Sequence, residues 1–243
     1  MRSRVEAERE EHSMTAPGAQ RRSIEPWRRR LYLPAYTVAD AARYARTHPQ
    51  TVSYWHYGGR ALGPALPGKE RGKPLSYLQL VEVAFVATFR RLGVSLQRIR
   101  RARDYLAQRF ESEYPFAEYR LATEGHHVLM DLQQAEPDAE VGRLILADAN
   151  GQTAWRDVVA QRFAEFVYEY DLALVWRLGG PDSPIVIDPR VAFGAPTVRG
   201  TPTWALKGRW EAGEDVDDIQ ADFSLRRDDV LQALAFEGVK QAA

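Results

Sequence analysis

The stretch Gly194-Ala195-Pro196-Thr197-Val198-Arg199-Gly200-Thr201-Pro202 constrains the fold more than any other part of the chain. Glycines, prolines and threonines flank one short apolar step. That density of turn formers fixes a backbone path and excludes a packed helix across it. Ile187-Asp188-Pro189-Arg190 introduces the stretch. Whatever lies on either side is therefore joined by a rigid, non-helical entry.

The 243 residues can hold one large domain or a few small ones, and an apolar content of 45% is ordinary for a globular protein. The chain has no cysteine. This removes disulfides, thiolate zinc sites and cysteine nucleophiles, and it fits a cytoplasmic setting. No apolar run approaches the ~20 residues of a membrane span, so no membrane partner is expected. The first 30 residues carry charges throughout and lack an apolar signal core.

The formal net charge of zero conceals a division. Residues 1–110 hold 21 Lys+Arg and 9 Asp+Glu, net +12, and residues 111–243 hold 12 and 24, net −12. A split of this size points to one half that meets a polyanion and another that does not.

Residues 1–30 read as a disordered leader, rich in Arg, Glu and Ser. Residues 36–57 read as helix, turn, helix. Thr37 and Asp40 have the spacing of a capping box, and Val38, Ala41, Ala42 and Ala45 share one helical face. Pro49 suits the first turn of the second helix, which should end at Gly58-Gly59. There Val52 and Trp55 are expected to be buried, leaving Gln50, Thr51, Ser53 and Tyr54 for a surface. A loop with Arg60, Lys69, Arg71 and Lys73 follows. A helix from Ser76 to Gly93 should bury a face of Leu78, Val81, Phe85, Phe89 and Leu92. The next, opening at Ser95, should bury Leu96, Ile99, Leu106 and Phe110 and leave Arg98, Arg100, Arg101 and Arg103 as a solvated face.

Further on, Tyr119 to Thr123 and His127 to Leu132 flank a hairpin signal at Glu124-Gly125. Leu144 to Ala147 and Leu174 to Leu178 read as further strands, with a helix over Trp155 to Tyr170 between them. After the opening motif, three short helices are expected at about 203–212, 216–222 and 228–238. The expected organisation is a leader (1–30), a DNA-binding domain (31–112), a connecting β–α segment (113–180) and an acidic helical domain (181–243).

A short second helix with small polar residues can enter the major groove. Gln50 is suited to adenine, and Thr51, Ser53 and Tyr54 to bases or phosphates. Arg60, Lys69, Arg71 and Lys73 would neutralise phosphates and add affinity without reading sequence. Residues 31–110 hold 13 cations and 4 acids, net +9, which supports that reading over an ordinary helical hairpin. His126-His127 is a poor metal pair, because neighbours in a strand face opposite ways. His48 and His56 read as a cap and a helix-surface residue. The acidic run Glu214, Asp215, Asp217, Asp218 and Asp222 sits at a helix start, where carboxylates favour the helix dipole. No Walker loop, G-x-G-x-x-G or G-x-S-x-G is present. No enzyme activity, cofactor or metal is therefore expected. Residues 203–243 hold 5 cations and 9 acids, net −4, a surface that repels DNA and suits a protein partner.

Tyr36-Thr37-Val38-Ala39-Asp40-Ala41-Ala42, Thr51-Val52-Ser53-Tyr54-Trp55 and Leu75-Ser76-Tyr77-Leu78-Gln79-Leu80-Val81-Glu82 resemble the MerR-like DNA-binding domain of VapB-type antitoxins. Gly93-Val94-Ser95-Leu96-Gln97-Arg98-Ile99-Arg100 adds to this likeness. The stretch from Asp188-Pro189 to Phe193-Gly194 and on to Thr201 resembles a small family of unassigned role. Its signature is G-x-P-x-[VI]-x-G-[TS], and it often forms part or all of an antitoxin. The resemblance implies a mainly α fold with a small β element: a winged, MerR-like helix-turn-helix, a middle segment and a three-helix homeodomain-like module. It also implies an antitoxin that represses its own operator and neutralises a PIN-domain ribonuclease as a homodimer. The family pattern often continues with Arg where Pro202 stands here, which leaves the role of Arg199 open. The alternatives are a stand-alone MerR-like regulator that senses a small ligand and, behind it, a hydrolase using the acidic tail. For a sensor, Tyr114, Phe116, Tyr119, Trp155 and Trp176 would be the aromatic pocket candidates.

Overall fold

The computed structural model describes residues 25–58, 63–66, 68–118 and 161–240. Among the described residues the fold is mainly α with one small antiparallel sheet. In chain order it runs α1 (Pro26–Arg30), α2 (Val38–Tyr44), α3 (Pro49–Tyr57), α4 (Tyr77–Arg91), α5 (Leu96–Phe110) and a 3₁₀ turn (Pro115–Ala117). The sheet follows: β1 (Phe166–Glu169), β2 (Leu172–Arg177), β3 (Ile185–Ile187), β4 (Pro196–Val198) and β5 (Thr201–Pro202), each paired antiparallel with the next. Three helices follow the sheet: α6 (Thr203–Glu211), α7 (Val216–Phe223) and α8 (Arg227–Phe236).

Local signals set many of these boundaries. The Thr37 hydroxyl accepts from the Asp40 amide while the Asp40 carboxylate accepts from the Thr37 amide, closing the expected capping box of α2. Ser76 and Gln79 close another on α4. Ser95 caps α5, and Pro49 occupies the first turn of α3. α6, α7 and α8 fall within a residue or two of the expected tail helices.

α4 is where sequence periodicity and structure part. Its residues Tyr77 to Phe89 are buried on every side, although the pattern suggested a single apolar face. The reason is position. α5 and the 3₁₀ turn pack on one side, and the sheet packs on another. The Phe85 ring lies 5.2 Å from Phe163, 5.4 Å from Phe166 and 6.4 Å from Phe116, centroid to centroid. Glu82, polar within this helix, is satisfied by a buried ion pair. Arg103 Nε donates to it at 2.9 Å, and the Phe116 amide donates at 2.7 Å. Burial pushes the Glu82 carboxyl up to about 7, against the pull of Arg103. Arg103 is therefore not part of a solvated arginine face.

The expected helix over Trp155 to Tyr170 is also revised. Residues 161–164 are helical, but β1 starts at Phe166. Phe166 pairs with Trp176 in register and stacks on it at 5.4 Å, so strand pairing wins over local helical spacing. β2 covers most of the expected strand at Leu174 to Leu178. The hairpin around Glu124-Gly125, the strand at Leu144 to Ala147, His126-His127, Tyr119 and Trp155 lie outside the described residues. So does all of the leader up to residue 24.

The turn-rich stretch around Gly194 to Pro202 becomes a 3₁₀ turn at Ala192–Gly194, then β4, a tight turn at Arg199 and Gly200, and β5 leading into α6. Arg199 and Gly200 both lie in the left-handed region, at φ 47° and 85°. Buried residues form one continuous cluster from Leu31 to Leu234, so the motif is embedded in a shared core.

Candidate nucleic-acid interface

α3 is anchored by one face and open on the other. Val52, Trp55 and His56 are buried, while Gln50 and Tyr54 are exposed and Thr51 and Ser53 half-exposed. Gln50, Tyr54 and Tyr57 recur at four and three residues, so they form one stripe, with Ser53 beside Tyr57. α2 crosses behind α3 and fills the space with Ala41, Ala42 and Ala45, whose small side chains allow close approach.

The loop after α3 is tied down at both ends. The amides of Ala65 and Leu66 donate to the Trp55 carbonyl at 2.8 and 2.9 Å. His56 Nδ1 bonds the Leu66 carbonyl at 2.8 Å, and as the carbonyl can only accept, that nitrogen carries the proton. His56 is thus a buried brace, not a helix-surface residue. Burial pushes its pKa down to about 4, and nearby cations push the same way. Further along, Leu75 exchanges backbone hydrogen bonds with Tyr36 at 2.6 and 3.0 Å, which returns the loop to the start of α2.

Between these ties the cations gather on Tyr57. Lys69 Nζ lies 5.5 Å and Arg71 Cζ 5.2 Å from its ring centroid. Lys69 also donates to the Tyr57 hydroxyl at 3.0 Å and to two loop carbonyls, so it is a brace within the loop. Arg71 and Lys73 are exposed. Lys73 pairs with Glu70 at 2.6 Å, but both are so exposed that the pair contributes little and leaves the charge available. Arg100, from α5, donates to the carbonyls of Gly63 and Pro64 and supports the loop from behind. The fold therefore joins the polar stripe of α3 to the cationic loop. Arg60 lies outside the described residues. His48 occupies the position before α3 without a side-chain capping bond.

Sequence reasoning passed over Tyr57, the residue that collects the loop cations. Its spacing of seven from Gln50 was the available signal. It also passed over the ties between this region and the carboxyl-terminal part. The Tyr36 hydroxyl, just ahead of α2, donates to the Gly194 carbonyl at 2.9 Å. Arg30 donates to the Pro189 carbonyl at 3.2 Å and lies over the Phe193 ring at 4.7 Å. On α2, Arg43 pairs with Glu237 at 3.4 Å and Tyr44 stacks on Phe236 at 6.1 Å. Arg199 gains a definite role as well. Its Nε donates at 2.6 Å to Asp229, a fully buried carboxylate that also takes two bonds from the Arg226 guanidinium. These guanidinium groups hold the Asp229 carboxyl well below the usual carboxylate range.

The acidic residues of the tail are engaged locally. Asp215 accepts from the amides of Asp217 and Asp218 at 2.9 Å and caps α7, while Glu214 and Asp222 pair with Arg209. Among the described residues, no group of three or more His, Asp or Glu is placed to hold a metal ion. Nor is any helix among them long and apolar enough to cross a membrane. Of the aromatic residues named for a ligand pocket, Trp176 and Phe116 are buried in the core and Tyr114 is half-buried.

Residues 185–236, from β3 to α8, match the family described as "Protein of unknown function (DUF433)". The chain is similar to a solved structure, the crystal structure of Rv2018 from Mycobacterium tuberculosis. The identity is 25% and the TM-score 0.66, over 84% of this chain and 99% of that one. It is also similar to the Mycobacterium tuberculosis protein named "Putative antitoxin VapB45", 27% identical over 226 residues that span 84% of this chain and 94% of that one.

Proposed function

We propose that this protein is a non-catalytic antitoxin that also represses transcription by binding operator DNA. The observation that carries the reading is the likeness to a protein named as an antitoxin, which extends over 84% of this chain and 94% of that one. The architecture supports the DNA-binding part. α2 and α3 act as a helix-turn-helix, and the loop that returns to Tyr36 acts as a wing. Gln50, Thr51, Ser53 and Tyr54 meet base edges and phosphates, while Arg71 and Lys73 meet the backbone. Lys69 holds the wing in shape, and Arg60 extends the cationic loop. A homodimer presents two such units to paired half-sites. The acidic helices α6, α7 and α8 face a cognate toxin of the PIN ribonuclease type, and covering it blocks RNA cleavage.

The test has two arms. Gln50→Ala with Ser53→Ala should weaken binding to the DNA upstream of the gene tenfold or more at fixed salt, since a bidentate base contact is worth about 1–3 kcal/mol. Thermal stability should stay unchanged, because both side chains sit on the open face. Unchanged affinity means that α3 is not the reading helix. For the second arm, the protein is co-expressed with the product of the adjacent reading frame. Co-purification and loss of that product's ribonuclease activity are expected, and failure of both removes the antitoxin reading.

A further inference from the structure

A cleft of about 750 Å³ opens between α1, the chain just after it, and the β1–β2 hairpin. That volume lies in the range of small-molecule sites. Its apolar walls come from Leu31, Leu172 and Leu174, with the rings of Trp27, Tyr32 and Tyr170 at its lip. The Trp27 and Tyr170 rings stand 5.4 Å apart, and the Arg28 guanidinium lies 4.7 Å from the Tyr170 centroid.

Tyr170 is held there at a cost. It and Asp171 form the two-residue turn between β1 and β2, both left-handed at φ 54° and 63°. That conformation crowds an L side chain against its own backbone, and the turn type favours Asn or Gly. Tyr170 is nevertheless 54% exposed, so burial of its ring does not offset the strain. A strained, exposed ring beside a cleft is the pattern of a ligand-facing residue.

The charges of the cleft select the ligand. Glu25 keeps its charge while accepting from Trp27 Nε1 at 2.6 Å, and Glu169 is paired with Arg190 at 2.6 and 3.1 Å, so both carboxylates are engaged. The cations of the cleft are not. Among the described residues Arg28 meets only aromatic rings, and the Arg29 guanidinium makes no hydrogen bond or ion pair. We propose that this cleft binds a small, flat aromatic anion, such as an aromatic carboxylate. Its ring lies against Trp27 and Tyr170, and its acid group meets Arg28 and Arg29. The site is separate from α3 and does not rest on the antitoxin reading.

Fluorescence titration of the full chain tests this with 8-anilinonaphthalene-1-sulfonate, an aromatic anion that presents a flat naphthalene ring, and with the neutral N-phenyl-1-naphthylamine. Saturable one-to-one binding of the anion is expected. Arg28→Gln with Arg29→Gln should weaken the anion about tenfold or more, as expected for charged hydrogen bonds, and leave the neutral probe within about twofold. Tyr170→Asn suits the left-handed turn, so the urea midpoint should hold or rise while both probes bind several-fold more weakly. Three results overturn the proposal: no binding because the chain itself fills the cleft, unsaturable binding to general apolar surface, or binding indifferent to these substitutions.

Discussion

Gly194 shows how one residue can join distant parts of a chain. Its φ of 81° favours glycine, and an added Cβ would overlap the Tyr36 hydroxyl that donates to its carbonyl. Gly194→Ala should therefore lower stability by about 2–4 kcal/mol, combining the left-handed penalty with the overlap. In a Tyr36→Phe background the overlap is gone and only the conformational part, about 1–2 kcal/mol, should remain. A double-mutant cycle by urea denaturation reads this difference. Equal costs in both backgrounds would mean that Tyr36 and Gly194 do not touch. The sequence marked Gly194 as a turn residue but gave no sign of its partner 158 positions away, because a side chain's reach across a fold leaves no periodic trace.

Among elements, the join between α3 and its loop has a built-in pH dependence. His56 is buried and neutral, with its pKa pushed from the ordinary 6.5 down to about 4. The unfolded chain therefore binds its proton first. The stability this provides is fully present above pH 6.5 and is lost as pH falls toward 4, by about 2–3 kcal/mol at most. Urea midpoints at pH 7.5 and pH 5 should differ more in the native protein than in His56→Gln. Matching slopes would place the histidine in water. Helix boundaries in this region were legible, because capping pairs and Pro49 act within a few residues. The burial of His56 was not, since it depends on where Leu66 returns to the helix.

Across the molecule, the buried side chains of the described residues between Leu31 and Leu234 form one cluster. Separate amino- and carboxyl-terminal units would unfold in separate steps, whereas a shared core unfolds in one. The contacts of Arg30, Tyr36, Arg43 and Tyr44 with residues 189–237 favour the shared core. Trp55, Trp176 and Trp210 sit in different parts of the fold. Single-tryptophan variants followed by fluorescence and far-ultraviolet circular dichroism should give coincident transitions. Resolved transitions would mean that the two parts are independent domains.

Local signals are enough for the capped starts of α2, α4 and α5, the tail helices, the turn-rich path from Gly194 to Pro202, and the open face of α3 at Gln50, Ser53 and Tyr54. Each depends on residues within about one or two turns, so spacing and composition carry it. Long-range packing is what buries α4 all round, makes Phe166 open a strand, and turns Arg103 and His56 inward. It also decided that the signature loop clasps the segment before α2. These outcomes depend on which surfaces meet across long stretches of chain, where burial and strand pairing outweigh the roughly 1 kcal/mol differences of local preference.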